Sequence, residues 1–228
     1  MSRRRKAKDR QAVSLEEIIS RKFNTIGFDG EWEQAFGDPE KTGCWEIWGE
    51  SGSGKTTFLL RMSKYLISKG LKVVYNTLEE GVSESFKQAI IRSGIMSEER
   101  RRFMVWDKLE YTDMIKRIKK QRSPDVIIID SIQFLGESGF TKADLQELLT
   151  EYEDKLFIFV SWAKGKQPSG ALASAARYKA NIKMFMGLDG YVYIDGRYKS
   201  KTTFDAWPEK HMYVTLTDSN NGEQSKTD

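Results

Sequence analysis

Apolar and polar positions along the chain fall into three kinds of pattern, and each predicts a different element. DVIIID at 125 to 130 and KLFIFVSW at 155 to 162 are continuous apolar runs, and LKVVYNTLEE at 71 to 80 is a third that ends in two acids. Runs of this length without alternation are the mark of strands buried on both faces of a parallel sheet. Helical spacing takes over at Phe58, Leu59, Leu60, Met62, Tyr65, Leu66 and Ile67, with Gly70 as a stop signal. It resumes at about 83 to 93 through Phe86, Ala89 and Ile90, at about 111 to 121 before Ser123-Pro124, and at about 141 to 152. NIKMFM, YVYIDG and HMYVTL near the end alternate with a period of two, as antiparallel strands do.

Strands alternating with helices predict an α/β fold: a mostly parallel sheet flanked by helices, with an antiparallel extension at the C-terminal side. Ahead of it, Ser14 followed by Glu17 has the form of a capping box and predicts a short helix over about 15 to 22. A loop through Gly27, Gly30, Gly37, Asp38 and Pro39 then leads into the first strand.

Between the apolar Trp45, Ile47 and Trp48 and the helix that starts near Phe58 lies GESGSGKTT. Gly49, four residues, and Gly54-Lys55-Thr56 satisfy G-x-x-x-x-G-K-[ST], the phosphate-binding loop. Gly49, Gly52 and Gly54 let the backbone turn tightly and aim N–H groups inward as an anion nest, with Ser51, Ser53 and Thr57 completing the loop. Lys55 supplies charge to the β and γ phosphates from a helix N-terminus that already favours an anion, and Thr56 offers a hydroxyl to Mg²⁺. Nucleoside triphosphate and Mg²⁺ are the cofactors this predicts.

Composition narrows the classes. Among 228 residues, 39% are hydrophobic and 31% charged, and no apolar run has the length of a membrane span. One cysteine, Cys44, excludes an internal disulfide, and one histidine, His211, excludes a Cys/His zinc cluster. The net charge of +4 is concentrated in residues 1 to 10, where six Lys or Arg face one Asp. We expect residues 1 to 12 to be a basic disordered tail, 13 to 217 a single domain, and the polar stretch 218 to 228 a second disordered tail.

Asp130 closes an aliphatic strand beside the cradle, where a P-loop NTPase holds its Mg²⁺-organising aspartate. Hydrolysis also needs a group that orients or deprotonates water. Glu79 and Glu80, at the end of the neighbouring strand, are the candidates, and position alone does not choose between them.

With these motifs the chain resembles the ATPase core of the RecA/RadA superfamily over about residues 28 to 215, and in size the short RecA-like recombination ATPases of phages and prophages. The resemblance implies Glu79 as catalytic glutamate, Asp130-Ser131 as the Walker B pair, and Phe86 as the ring that stacks on adenine. It likens 169 to 186 to the end of the second DNA-binding loop and the following strand. GRYKSK at 196 to 201 is similar to the fingers that reach a neighbouring subunit's γ-phosphate, with Lys199 and Lys201 fitting best and Arg197 third. Lys164, Lys166, Arg177 and Lys179, among glycine and small residues, suit a phosphate backbone.

The expected function is therefore a Mg²⁺-dependent ATPase, cytoplasmic in a bacterial or phage-infected cell, that binds single-stranded DNA in phage-type recombination or annealing. It would assemble as a homo-oligomer, hexamer or filament, with ATP at subunit interfaces, and a single-strand-binding or replication protein is a further candidate partner. A replicative-helicase-like motor or helicase loader, and a DNA-independent ATP-dependent regulator, are the alternatives carried forward.

Overall fold

In the computed structural model, residues 12 to 96, 99 and 101 to 208 are described. The aliphatic runs form the centre of one sheet. In chain order the elements are α1 (Leu15–Ser20), α2 (Gly30–Phe36), β1 (Gly43–Gly49), α3 (Lys55–Ser68), β2 (Val73–Thr77), α4 (Glu84–Ser93), β3 (Phe103–Asp107), α5 (Tyr111–Ile118), β4 (Val126–Asp130) and α6 (Ile132–Glu137). They continue with α7 (Lys142–Glu151), β5 (Leu156–Lys164), β6 (Gln167–Pro168), α8 (Ala171–Lys179), β7 (Ile182–Met186), β8 (Tyr191–Gly196) and β9 (Thr202–Asp205).

The spatial order is β3-β2-β4-β5-β1-β7-β8-β9, parallel from β3 through β7, with β8 and β9 antiparallel. This is the mostly parallel α/β sheet with an antiparallel C-terminal side that the hydrophobic pattern predicts, except that NIKMFM, expected among the antiparallel strands, joins β1 in parallel as β7 and meets an antiparallel partner only in β8. Strand alternation sorts the core into two layers. Trp45, Ile47, Val73, Tyr75, Val126, Ile128, Ile158 and Val160 face α2, α3 and α4, whereas Ile127, Ile129, Phe157 and Phe159 face α5 to α8. Each fully buried aliphatic or aromatic side chain contributes about 1.5–3 kcal/mol relative to exposure.

Several elements were hidden from pattern reading. α2 falls where a glycine-rich loop is expected, because Trp32, Ala35 and Phe36 give only one turn of apolar spacing between Gly30 and Gly37. β3 is an edge strand with mixed burial, which weakens its signature. The stretch between Trp162 and Ala180 is a tight hairpin, β5 to β6, followed by α8, whose alanines Ala173 and Ala176 are buried. Small residues there serve close helix-to-sheet packing. The predicted helix cap at Ser14 forms, its hydroxyl accepting from the Glu17 N–H at 3.1 Å. HMYVTL at 211 to 216 lies outside the described residues, as do most of both tails.

One buried acid stands out. Glu46, in the middle of β1, is fully buried; Ser161 Oγ donates to its Oε1 at 2.9 Å, and Oε2 has no hydrogen-bond partner. Burial pushes its pKa up to about 8, against smaller opposing effects of the Ser161 hydrogen bond and the Arg177 charge. The unfolded chain releases this proton near the ordinary value of 4.5, while the folded chain keeps it to about 8. The protonated group's contribution is therefore complete below the lower value and is lost as pH rises to the upper one. Glu46→Gln is expected to flatten that dependence and to raise stability by about 1–3 kcal/mol at pH 8 relative to the parent chain, read from denaturant midpoints across the window.

Candidate active site

The parallel strands bring their carboxyl ends to one edge, and the sequence-predicted groups arrive there from four of them. After β1 the loop turns back with Gly52 at φ 75° and Gly54 at φ 99°, left-handed conformations that favour glycine. Gly49 is required for space: a Cβ there would lie 2.7 Å from the Met186 carbonyl oxygen and 2.8 Å from Ser53 Oγ. Ser53 is itself buried with an unpartnered hydroxyl. Lys55 Nζ folds over the loop, donating to the carbonyls of Gly49 at 2.9 Å and Glu50 at 2.8 Å. Burial lowers its pKa, opposed by the charges of Asp130 and Glu79.

Thr56 Oγ1 donates to Asp130 Oδ2 at 3.4 Å, across from α3 to the end of β4. Tyr75 OH, from β2, donates to the same oxygen. Burial raises the Asp130 pKa to about 6; the Tyr75 hydrogen bond lowers it, the Glu79 charge raises it, and Lys55 and Thr56 lower it. A hydroxyl and a carboxylate at this separation are hard oxygen donors suited to Mg²⁺. Thr56 and Asp130 thus fit the ion that the loop implies.

The two neighbouring glutamates separate clearly. Glu80 turns to the start of α4, where Ser83 and Ser85 donate to Oε1. Glu79 stays at the strand edge, its backbone N–H bound to the Asp130 carbonyl at 3.1 Å, and its Oε2 accepts from Trp162 Nε1 at 2.9 Å. Trp162 ends the inner part of β5 and packs edge-on against Phe134, ring centroids 5.7 Å apart at 88°. In the sequence, Trp162 is only the last residue of an apolar run and Tyr75 one aromatic within another, so neither contact to the site is visible there.

Phe86 is elsewhere than the resemblance implies. It is 2% exposed and packs on Tyr75 with centroids 5.3 Å apart, a core position. The ring beside the cradle is Trp207: a Cβ on Gly54 would meet its indole at 2.8 Å. Its segment is tied to the cradle helix through Arg61, whose Nη1 donates to the Asp205 carbonyl at 2.9 Å and whose Nη2 pairs with Glu31 at 2.7 Å.

The basic candidates divide into three groups. Lys164 and Lys166 are exposed on the β5 to β6 hairpin, next to Trp162. Arg177 is half-buried, its Nη1 donating to Gln167 Oε1 and its guanidinium 5.1 Å from the Trp48 ring centroid, so it clamps the hairpin to α8. Lys179 ends α8 next to the start of β1, and Arg197, Lys199 and Lys201 occupy the β8 to β9 turn at that same far edge of the sheet.

No family model matches the chain. DNA repair protein RadA of Chlamydia muridarum (strain MoPn / Nigg) is 28% identical over 131 residues, 53% of this chain and 28% of that protein, so the chain spans under a third of the relative's length. Among solved structures, the KaiC-like protein PH0186 from Pyrococcus horikoshii OT3 superposes with TM-score 0.59 at 20% identity, covering 79% of this chain and 91% of that one. The flagellar accessory protein FlaH from Methanocaldococcus jannaschii gives TM-score 0.55 at 16% identity over 80% and 94% of the respective chains. The chain has the RecA-like P-loop ATPase fold. In this RecA-like frame the loop, Thr56, Asp130 and Glu79 share one edge, and no helix among the described residues is long and apolar enough to cross a membrane.

Trp207→Ala is expected to weaken nucleotide affinity by roughly tenfold through loss of an aromatic wall. Phe86→Ala is expected instead to cost about 3–5 kcal/mol of stability. Fluorescent-nucleotide titration and denaturant unfolding of both variants separate the two effects.

Proposed function

We propose that the chain is a Mg²⁺-dependent ATPase whose turnover is governed by single-stranded DNA on the β5 to β6 hairpin, and that it acts in phage-type recombination or annealing. One observation carries the reading: the carboxylate suited to activating water, Glu79, is hydrogen-bonded at 2.9 Å to Trp162, at the root of the hairpin that exposes Lys164 and Lys166. Cations there suit a phosphate backbone, and their displacement has a direct route to the reacting edge. The RadA relative, a DNA repair protein by name, supports the same direction.

In this reading the loop N–H groups and Lys55 bind and orient the triphosphate, and the γ-phosphoryl faces Glu79. Glu79 accepts a proton from the attacking water, which a carboxylate can do with its second oxygen while Trp162 holds the first. Thr56 and Asp130 would hold Mg²⁺, which would supply positive charge for the transferring phosphoryl group. Lys199 or Lys201 supplies a further cation in trans: their turn sits at the sheet edge remote from this chain's own cradle, so only a second copy's nucleotide is within its use. Assembly is supported by the apolar surface of the amino-terminal segment, where Val13, Leu15, Ile18, Ile19 and Phe23 are all exposed.

ATP hydrolysis should be stimulated by single-stranded DNA, with stimulation fading at high salt, and Lys55→Ala should abolish it. Paired Lys164→Ala and Lys166→Ala should weaken DNA binding and reduce the log-log salt slope by roughly 0.7 per cation lost. Turnover that is lost in Lys55→Ala yet indifferent to DNA would move the function to a DNA-independent regulator.

Trp162→Phe keeps a ring against Phe134 and removes the indole N–H. The ratio of DNA-stimulated to basal hydrolysis should then fall by about tenfold, the scale of one hydrogen bond to a charged group. An unchanged ratio, measured by steady-state phosphate release, would break the proposed link between hairpin and Glu79.

A further inference from the structure

β2 is completely buried, yet its central residue is a tyrosine. A phenol hydroxyl in such a place is costly unless it has a partner, and its partner is Asp130 Oδ2. Parallel pairing of β2 with β4 sets Tyr75 opposite Ile128 and Thr77 opposite Asp130. Tyr75 therefore lies on the same sheet face as Asp130, two residues further from the edge, and a phenol spans that offset. Its ring cannot swing away, because Phe86 packs on it from α4 with centroids 5.3 Å apart. Thr56 Oγ1 reaches the same carboxylate oxygen at 3.4 Å from α3.

We infer that Tyr75 is a positioning residue for the metal-binding edge: by occupying Asp130 Oδ2 together with Thr56, it fixes the carboxylate's rotation and leaves Oδ1 for the ion's shell. This rests on the Mg²⁺-ATPase reading above. Phe86 acquires a role in it as the buttress behind the phenol. The arrangement is the carboxylate counterpart of an outer hydrogen bond that orients a metal ligand without touching the metal. A purely structural tyrosine would stabilise the fold and leave the metal response alone, so the two roles differ in what they change.

The test uses Tyr75→Phe in the full chain, which deletes one oxygen from an otherwise unchanged core. Binding of a fluorescent ATP analogue is titrated with EDTA and across a Mg²⁺ series, alongside denaturant unfolding of the nucleotide-free chain. The expected result is unchanged affinity in EDTA, a retained unfolding midpoint, and a Mg²⁺ half-saturation raised roughly 10- to 100-fold. Half-saturation within about twofold of the parent, or an equal loss of affinity in EDTA, would overturn the inference.

A double-mutant cycle with Asp130→Asn gives a second, independent reading. Tyr75→Phe should add nothing to the Mg²⁺ response once Asp130 is neutralised, whereas fully additive losses would overturn the coupling. Parent chain that binds the nucleotide equally with and without Mg²⁺ would overturn the underlying reading and this inference with it. A metal response preserved in Tyr75→Phe while the parent responds normally would overturn this inference alone.

Discussion

The parallel register of the central strands is the constraint on which the rest depends. Gly49 stands opposite Trp162 and Met186, Thr77 opposite Asp130, and Asp130 opposite Val160. Four strand ends therefore reach the same edge together and deliver the loop, Glu79, Asp130 and Trp162 to one place. Alternation does the rest: Asp130 shares its face with Ile128 and Val126, the face that α3 covers, so it meets Thr56. A slip of one residue in β4 would turn the carboxylate to the opposite face and bury it beneath α6.

Collecting charged groups at a buried edge has a cost, visible in opposite shifts of two of them. Burial raises Asp130 and lowers Lys55, so each is pushed toward its neutral form while the charge of the other opposes the push. Such a site is poised for ligands that bring compensating charge, a triphosphate for the lysine and a divalent cation for the aspartate. The antiparallel side of the sheet contributes by holding Trp207 against the loop. Arg61 joins α3 to that side by its hydrogen bond to Asp205 and by stacking 4.9 Å over the Phe204 ring.

Legibility in the sequence followed the locality of the signal. The loop is nine consecutive residues with fixed chemistry at fixed spacing, and the buried strands are uninterrupted aliphatic runs, so both could be read without knowing their neighbours. The groups that act on the site through space could not. Tyr75 looks like any aromatic in a strand until its hydroxyl is seen on Asp130, 55 residues away in sequence. The different directions taken by Glu79 and Glu80 depend on a tryptophan 83 residues beyond Glu79 and on serines that draw Glu80 aside. Trp207 belongs to a segment whose approach to Gly54 depends on the sheet's closure by β9. Arg177 and Lys179 sit two residues apart in one basic stretch, yet α8 directs one into the hairpin clamp and carries the other to the far edge.

The hairpin's mechanical character follows from how its two faces are fixed. On one face Trp162 holds Glu79 and rests on Phe134; on the other, Trp48 Nε1 donates to the Lys166 carbonyl at 3.1 Å while Arg177 bridges Gln167 and the Trp48 ring. Ser169 is pinned twice, its N–H to the Trp162 carbonyl at 2.8 Å and its carbonyl to Gln133 Nε2 at 2.9 Å. A segment tied at this many points does not absorb a load by local disorder; force on Lys164 or Lys166 passes into its root. Of these ties, Trp162 is the one that ends on a carboxylate at the cradle edge. The buried Glu46 and Ser161 lie beneath the same root, where a protonated acid supplies polarity without a fixed charge and leaves the clamp of Arg177 on Trp48 undisturbed. Under the proposed function, a stiff hairpin tethered through Trp162 to Glu79 would act as a lever, giving Lys164 and Lys166 a route to the cradle edge although they sit outside it.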